Sequence, residues 1–299
     1  MNKFAISIIA SLFVIPAVCQ TRTDTLMMQL KDKNSKKVFV VSHRGDWRNA
    51  PENSLQAISN CIDMGVDMVE IDLKKTKDGE VILMHDKTLN RTTSGKGEPK
   101  DFTLSEIKKM VLRNGAGHRT EHKIPTLREA MLLAKGKILV NIDKGYDYFD
   151  DVYRILEETG TLDQCIIKDG KSYDEVKAEK PVALEKMTFM PVVKLTKGQP
   201  KEKIEGYNRH FKPILYELTF DKDDKNTYNL IHLAKQSGAK IFINSLWPEL
   251  CGGHHDDRAV EKGEIEQSWG WIIKRGASLI QTDRPAQLLN YLRSRNLHE

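Results

Sequence analysis

Residues 37–86 read KVFVVSHRGDWRNAPENSLQAISNCIDMGVDMVEIDLKKTKDGEVILMHD. Three apolar runs, 37–42, 67–73 and 80–85, predict strands, and a polar or charged pair closes each one. His43 and Arg44 follow VFVVS, Glu70 and Asp72 lie in MVEIDL, and His85 and Asp86 follow VILM. In a parallel α/β barrel the strands end at one face, and side chains at those ends converge on a single pocket. Glu70 and Asp72 are two residues apart, so on a strand both point the same way. Two carboxylates facing inward repel each other and are costly to bury. A divalent cation relieves that cost, and an all-oxygen ligand set favours a hard one, Mg²⁺ or Ca²⁺.

Outward from this stretch, further apolar runs at 137–142, 164–168, 188–193, 213–218, 239–244 and 277–282 predict more strands. Amphipathic segments such as 53–64, 126–134, 150–158, 225–236 and 264–275 lie between most of them. Strand–helix alternation argues for a parallel sheet. About 280 residues after the leader fit one (β/α)8 TIM barrel over 37–299, a fold that takes about 250 residues. Nine runs are one more than the barrel needs. The 70–85 connection is too short for a crossover helix, and TKDGE reads as a hairpin reversal, so the expected barrel is distorted or lacks a helix. The long glycine-rich, basic stretch 95–123 reads as a small insertion on the active-site side.

Residues 1–20, MNKFAISIIASLFVIPAVCQ, have the charge, length and small-residue ending of a signal peptide. This predicts an exported protein, periplasmic or secreted, with Cys19 as an alternative lipidated N-terminus. Residues 21–36 are a polar lead-in, loose or briefly helical. The three remaining cysteines, Cys61, Cys165 and Cys251, are too few and odd in number for a disulfide framework. The net charge of +5, or +4 without Lys3, suits a small anionic substrate. No basic-plus-aromatic module speaks for nucleic acid.

HRG, PENS, VEIDLKKTKDG and HDKTLNRTT, in this order and spacing, resemble the glycerophosphodiester phosphodiesterase family, which is related in fold to phosphatidylinositol-specific phospholipase C. Weaker echoes continue in IPTLREAM, NIDKG and LIQTDRPAQLLNYL. The resemblance implies metal-dependent hydrolysis of a glycerophosphodiester to glycerol 3-phosphate and an alcohol. It implies His43 and His85 as the catalytic pair, one activating the nucleophile and one protonating the leaving alkoxide. Arg44 is implied as a phosphate ligand, since its guanidinium fork matches phosphate oxygens. Glu52 falls where the family places the edge of the site, while Asn53 and Ser54 read as helix caps. Family members usually carry a glutamate in a strand ending Glu-x-Lys. Here ILVNIDKG puts Asp143 in its place as third metal ligand, with Lys144 directly after it as a second phosphate contact.

Lys168, Lys194 and Glu217 end further strands and, with Lys144, predict a charged ring at the barrel mouth that suits a polar or further charged headgroup. Trp247, after the strand end at Asn244, is a candidate wall for the glycerol or headgroup. The adjacent His254, His255, Asp256 and Asp257 read as a solvated rim loop rather than a second metal site. TDRPAQLLNYL reads as a strand end and a closing helix that starts at Thr282 and Asp283.

The expected partner is a small glycerophosphodiester, with membrane contact only through a lipidated Cys19; nothing in the sequence sets an oligomeric state. A phospholipase C or D acting on intact lipid needs an apolar, aromatic-rich rim that does not stand out. A binding protein that has lost catalysis is expected to lack one of His43, His85, Glu70 or Asp72, and all are present. A glycosidase needs two carboxylates on opposite sides of a bond, whereas Glu70 and Asp72 share one strand.

Overall fold

The computed structural model describes residues 20–299. The signal-peptide reading of 1–20 and the lipidation of Cys19 therefore lie outside the described residues, Gln20 apart. Among the described residues nine strands form: β1 (Phe39–Ser42), β2 (Met68–Lys75), β3 (Val81–Leu83), β4 (Leu139–Asp143), β5 (Cys165–Asp169), β6 (Thr188–Lys194), β7 (Leu215–Thr219), β8 (Lys240–Asn244) and β9 (Ala277–Thr282). Eight pair in parallel in the order β1-β9-β8-β7-β6-β5-β4-β2, and β1 pairs with β2 to close the barrel. The ninth, β3, runs antiparallel along the upper end of β2.

Two-residue alternation decides what fills the barrel. Phe39, Val41, Met68, Leu139, Ile166, Met190, Leu215, Phe242 and Leu279 form the lower interior. Their neighbours, such as Val40, Val69, Ile71, Val140, Ile142 and Ile167, pack outward against the helices. Two residues further up the same strands, the inward positions turn polar. Met68 leads to Glu70 and Asp72, Leu139 to Asn141 and Asp143, Ile166 to Lys168, Leu215 to Glu217 and Phe242 to Asn244. Greasy below and charged above is the pattern expected of a barrel whose chemistry sits at the C-terminal mouth.

The lead-in is an ordered helix, α1 (Arg22–Lys31), started by a capping box between Thr21 and Asp24. Its Leu26, Met27 and Leu30 close the bottom of the barrel. Asp67, fully buried at the start of β2, anchors this end: Lys37 Nζ lies 2.9 Å from its carboxylate and His298 Nε2 2.8 Å. Cys61, Cys165 and Cys251 are buried and free. No helix among the described residues is long and apolar enough to cross a membrane.

The crossover helix that the 70–85 connection left no room for is present but delayed. The chain runs up β2, returns down β3, builds the insertion, and only then forms the helix Leu127–Ala134 before β4. His85 therefore does not end a parallel barrel strand. It follows an antiparallel arm that descends to the level of Asp72, whose carbonyl accepts a 2.9 Å bond from the Met84 amide. The insertion is also wider than 95–123. It has its own apolar cluster of Ile82, Met84, Leu89, Ile107, Leu112 and Ile124.

Candidate active site

His43, Arg44 and Gly45 leave β1 in a tight turn. Arg44 and Gly45 take positive φ values of 55° and 76°. A Cβ at Gly45 would stand 2.7 Å from Ala57 Cβ, so only glycine lets this turn lie against the helix α2 (Leu55–Met64). The turn directs the Arg44 amide onto Glu70 Oε2 at 2.9 Å. Ser54 caps α2, its side chain accepting from the Ala57 amide. Asn53 does not serve as a cap. Buried and at φ 56°, it donates from Nδ2 to Asp72 Oδ2 at 2.9 Å and accepts from the Asp72 amide at 3.0 Å. PENS thus fixes a carboxylate as well as a helix start.

Glu70, Asp72 and Asp143 come together with one carboxylate oxygen from each lying within 4.8 Å of the others. Burial, then Asp72 and Asp143, push the Glu70 carboxyl well above the usual range. Burial also opposes the charge on Asp72, but Lys144, Arg44 and His85 outweigh it and hold Asp72 low. A buried carboxylate beside two others, its charge only partly offset by the Arg44 amide and Lys168, is the arrangement that a hard cation relieves, so the all-oxygen set fits a divalent metal ion.

Each histidine has a carboxylate partner. His43 Nδ1 lies 2.8 Å from Asp283 Oδ1, which also accepts from Trp47 Nε1 at 2.6 Å. His85 Nδ1 lies 2.8 Å from Asp86 Oδ1. With Nδ1 donating in both rings, Nε2 of each carries the lone pair in the neutral form. Trp247, 43% exposed, meets the His43 ring edge-on at 5.8 Å. The Arg91 guanidinium, then the His85 ring, hold Asp86 far below the ordinary carboxylate range.

Arg44 Nη1 donates to Glu52 Oε1 at 3.0 Å, and its Nε stands 3.3 Å from Asp72 Oδ2. Lys144, at φ 58°, donates from Nζ to Asp72 Oδ1 at 2.7 Å and to the His85 carbonyl at 3.3 Å.

In the expected charged ring, two of the members pair with each other. Lys168 is buried, 2.9 Å from Glu217 Oε2 and 3.4 Å from Asp143 Oδ1. Burial works against its charge, yet Glu217, Asp143 and Glu70 overcome it and raise its pKa. Glu217 takes a second bond from Asn244 Nδ2 at 2.7 Å, so Lys168 and Glu217 satisfy each other. Lys194 is exposed and forms no ion pair among the described residues.

The stretch 254–257 is only partly a solvated rim: Asp257 is exposed and His255 half-buried, whereas His254 and Asp256 turn inward. His254 is buried, stacked 3.7 Å from the Trp271 ring. Asp256 is buried and accepts from Ser245 Oγ, Trp269 Nε1, Thr282 Oγ1 and the Asp283 amide. It braces the end of β9, and with it Asp283. Sequence reading missed Asp283, Asp256 and Arg91. Barrel closure supplies Asp283: continuing the β1–β9 register beyond Ser42–Thr282 sets His43 beside Asp283, a pairing no local pattern carries.

An acid cluster at the mouth of a TIM barrel, with two histidines on the adjoining segments, is what the chain presents for comparison with known proteins. A glycerophosphodiester phosphodiesterase of Caldanaerobacter subterraneus subsp. tengcongensis is 30% identical over 266 residues, covering 86% of this chain and 98% of its own length. The chain belongs to the glycerophosphodiester phosphodiesterase family of enzymes. A glycerophosphoryl diester phosphodiesterase structure from Parabacteroides distasonis superposes with a TM-score of 0.74 at 25% identity, over 91% of this chain and 92% of that one. An Oleispira antarctica phosphodiesterase, solved in complex with the product sn-glycerol-3-phosphate, shares the fold at a TM-score of 0.63 and 20% identity, over 85% of this chain and 96% of that one. Residues 189–292 also match a family described as a domain of unknown function.

Proposed function

We propose that this enzyme hydrolyses glycerophosphodiesters to glycerol 3-phosphate and an alcohol by acid–base catalysis between His43 and His85. The observation that carries this reading is two imidazoles, each paired with its own carboxylate, on segments tied to the Glu70–Asp72–Asp143 cluster, the Arg44 amide beside His43 bonding Glu70 and Lys144 bonding both Asp72 and the His85 carbonyl. Glu70, Asp72 and Asp143 would hold a divalent cation, Mg²⁺ or Ca²⁺, which would supply Lewis-acid neutralisation of phosphoryl charge. Arg44 and Lys144 reach the same place as fixed cations and hold the phosphate. Nε2 of one histidine takes the proton of the nucleophile, and Nε2 of the other gives a proton to the departing alkoxide. Asp283 and Asp86 keep each ring in that tautomer and orientation. The nucleophile is water or the adjacent glycerol hydroxyl. A diester lacking that hydroxyl separates the routes, because normal turnover rules out the intramolecular one.

The test is glycerol 3-phosphate release by the purified protein from choline, ethanolamine, glycerol and inositol diesters, after EDTA and after metal is restored. Metal-restored turnover that disappears in His43→Ala and in His85→Ala is the expected result. Turnover insensitive to either substitution overturns the two-histidine reading.

We also propose export, on the strength of residues 1–20. The mass of the processed chain checks it: an N-terminus at or after Cys19, with or without acyl groups, is expected, and an intact Met1 in the mature protein refutes it.

A further inference from the structure

Two of the proposed functional groups, Arg44 and His85, come from separate parts of the chain, and one unassigned side chain joins them. Arg91 lies in the HDKTLNRTT stretch, in the loop after β3. Its Nη1 and Nη2 donate to Glu52 Oε2 and Oε1 at 2.6 and 2.8 Å. Its Nε and Nη2 donate to Asp86 Oδ2 and Oδ1 at 2.8 and 2.9 Å. Both carboxylates are therefore gripped by two bonds each, the geometry that guanidinium provides and ammonium does not. Each carboxylate then passes the restraint inward. Glu52 Oε1 also holds Arg44, and Asp86 Oδ1 also holds the Nδ1 of His85.

The insertion fixes Arg91 in turn. Thr93 is fully buried and its hydroxyl donates to the Leu89 carbonyl at 2.7 Å. Arg113 reaches back from the insertion, its amide donating to the Thr92 carbonyl and its Nε to the Thr93 carbonyl. The backbone around Arg91 is thereby tied to the insertion cluster.

We infer that Arg91 is a positioning residue, a fork between Glu52 and Asp86 that sets the phosphate-holding Arg44 and the ring of His85 in register, and that the insertion serves to hold it. This rests on the proposed roles of His85 and Arg44. Arg91 acts through its neighbours and takes no proton itself.

The experiment compares Arg91→Ala, Arg91→Lys and His85→Ala on the full chain with restored metal, measuring kcat and KM alongside circular dichroism. Loss of a group that orients a functional side chain costs about ten- to a hundredfold in activity. Arg91→Ala is expected to lose kcat by that order while staying folded, and sub-denaturing guanidinium is expected to restore part of it. Arg91→Lys keeps the charge without the fork and is expected to lose about tenfold. Should Arg91→Ala fail to fold, Arg91→Lys decides alone: turnover within twofold of the parent overturns the inference. So does a folded, impaired Arg91→Ala that guanidinium leaves unchanged, because that is the behaviour of a merely structural residue. Wild-type turnover in His85→Ala instead sinks the two-histidine reading, and the positioning role with it.

Discussion

His43 Nδ1 and Asp283 Oδ1 are 2.8 Å apart although 240 residues separate them in the chain. Closure of the barrel makes them neighbours, since β1 and β9 pair directly and in parallel. Asp283 is mostly buried. Burial alone would raise its pKa, but His43, Trp47 and Arg48 outweigh that and keep it a carboxylate. Asp283→Asn preserves shape, removes the charge and no longer dictates the His43 tautomer. Turnover is expected to fall by about 10²- to 10⁴-fold, and Tm at neutral pH to fall as well, because a carboxyl depressed in the folded state contributes stability there. Steady-state kinetics and a melting curve check both halves, and unaltered kcat refutes the orienting role.

The acid cluster predicts metal-linked stability. Glu70 is buried against Asp72 and Asp143, and a cation bound there removes a cost that the metal-free fold carries. Adding Mg²⁺ or Ca²⁺ to stripped protein is expected to raise Tm. A ligand at one hundred times its Kd contributes about 2.7 kcal/mol. The shift is expected to be lost in Glu70→Gln. An equal shift in that variant places the metal elsewhere.

Lys168 and Lys194 separate two meanings of charge at the mouth. Lys168 is buried against Glu217, so Lys168→Met strands that carboxylate, and breaking such a pair costs about 3–5 kcal/mol. Its loss is expected to lower Tm and to reduce turnover of every headgroup alike. Lys194 is exposed, so Lys194→Ala is expected to spare Tm and weaken only substrates whose headgroup carries extra negative charge. KM values across the diester panel, read against melting curves, decide it. A headgroup-selective effect of Lys168→Met would refute this division.

At the opposite end of the barrel, Asp67 governs acid stability. Burial disfavours its charge, yet His298 and Lys37 more than compensate and lower its pKa. A carboxyl depressed in the folded state contributes stability above its unfolded pKa and loses it as pH falls through the lower folded value. The contribution is thus complete at neutral pH, begins to fade near the ordinary aspartate value of about 4, and is gone in stronger acid. Asp67→Asn is expected to lower Tm at neutral pH and to flatten its decline below about pH 4. Parallel acid limbs in variant and parent would contradict this.

Much of the site was legible before any tertiary contact was known. Strand period two sends Glu70 and Asp72 to one side, and apolar runs ending in His43, Asp72 and Asp143 place those residues near strand ends. Local pattern carries such information because it concerns one strand at a time. What pattern could not supply was partnership. The TKDGE turn announces the reversal into β3, and the structure has it antiparallel to β2, but the register against Leu73–Lys75 that brings Met84 to Asp72 comes only from pairing. Lys168 and Lys194 look alike at their strand ends, and one is buried in an ion pair while the other faces solvent. His254 and Asp256 sit in a glycine-rich polar stretch that gives no sign of burial until Trp269 and Trp271 pack on them.

The sequence by itself determined the barrel through strand–helix alternation and set Glu70 and Asp72 on one side of a strand, and the resemblance of its motifs gave the family, with Asp143 and the two histidines as expectations. Only the tertiary structure decided which groups orient those histidines and what Arg91 joins. Hydrogen bonds between residues 39 or 240 positions apart exist only once the sheet has closed and the insertion has packed.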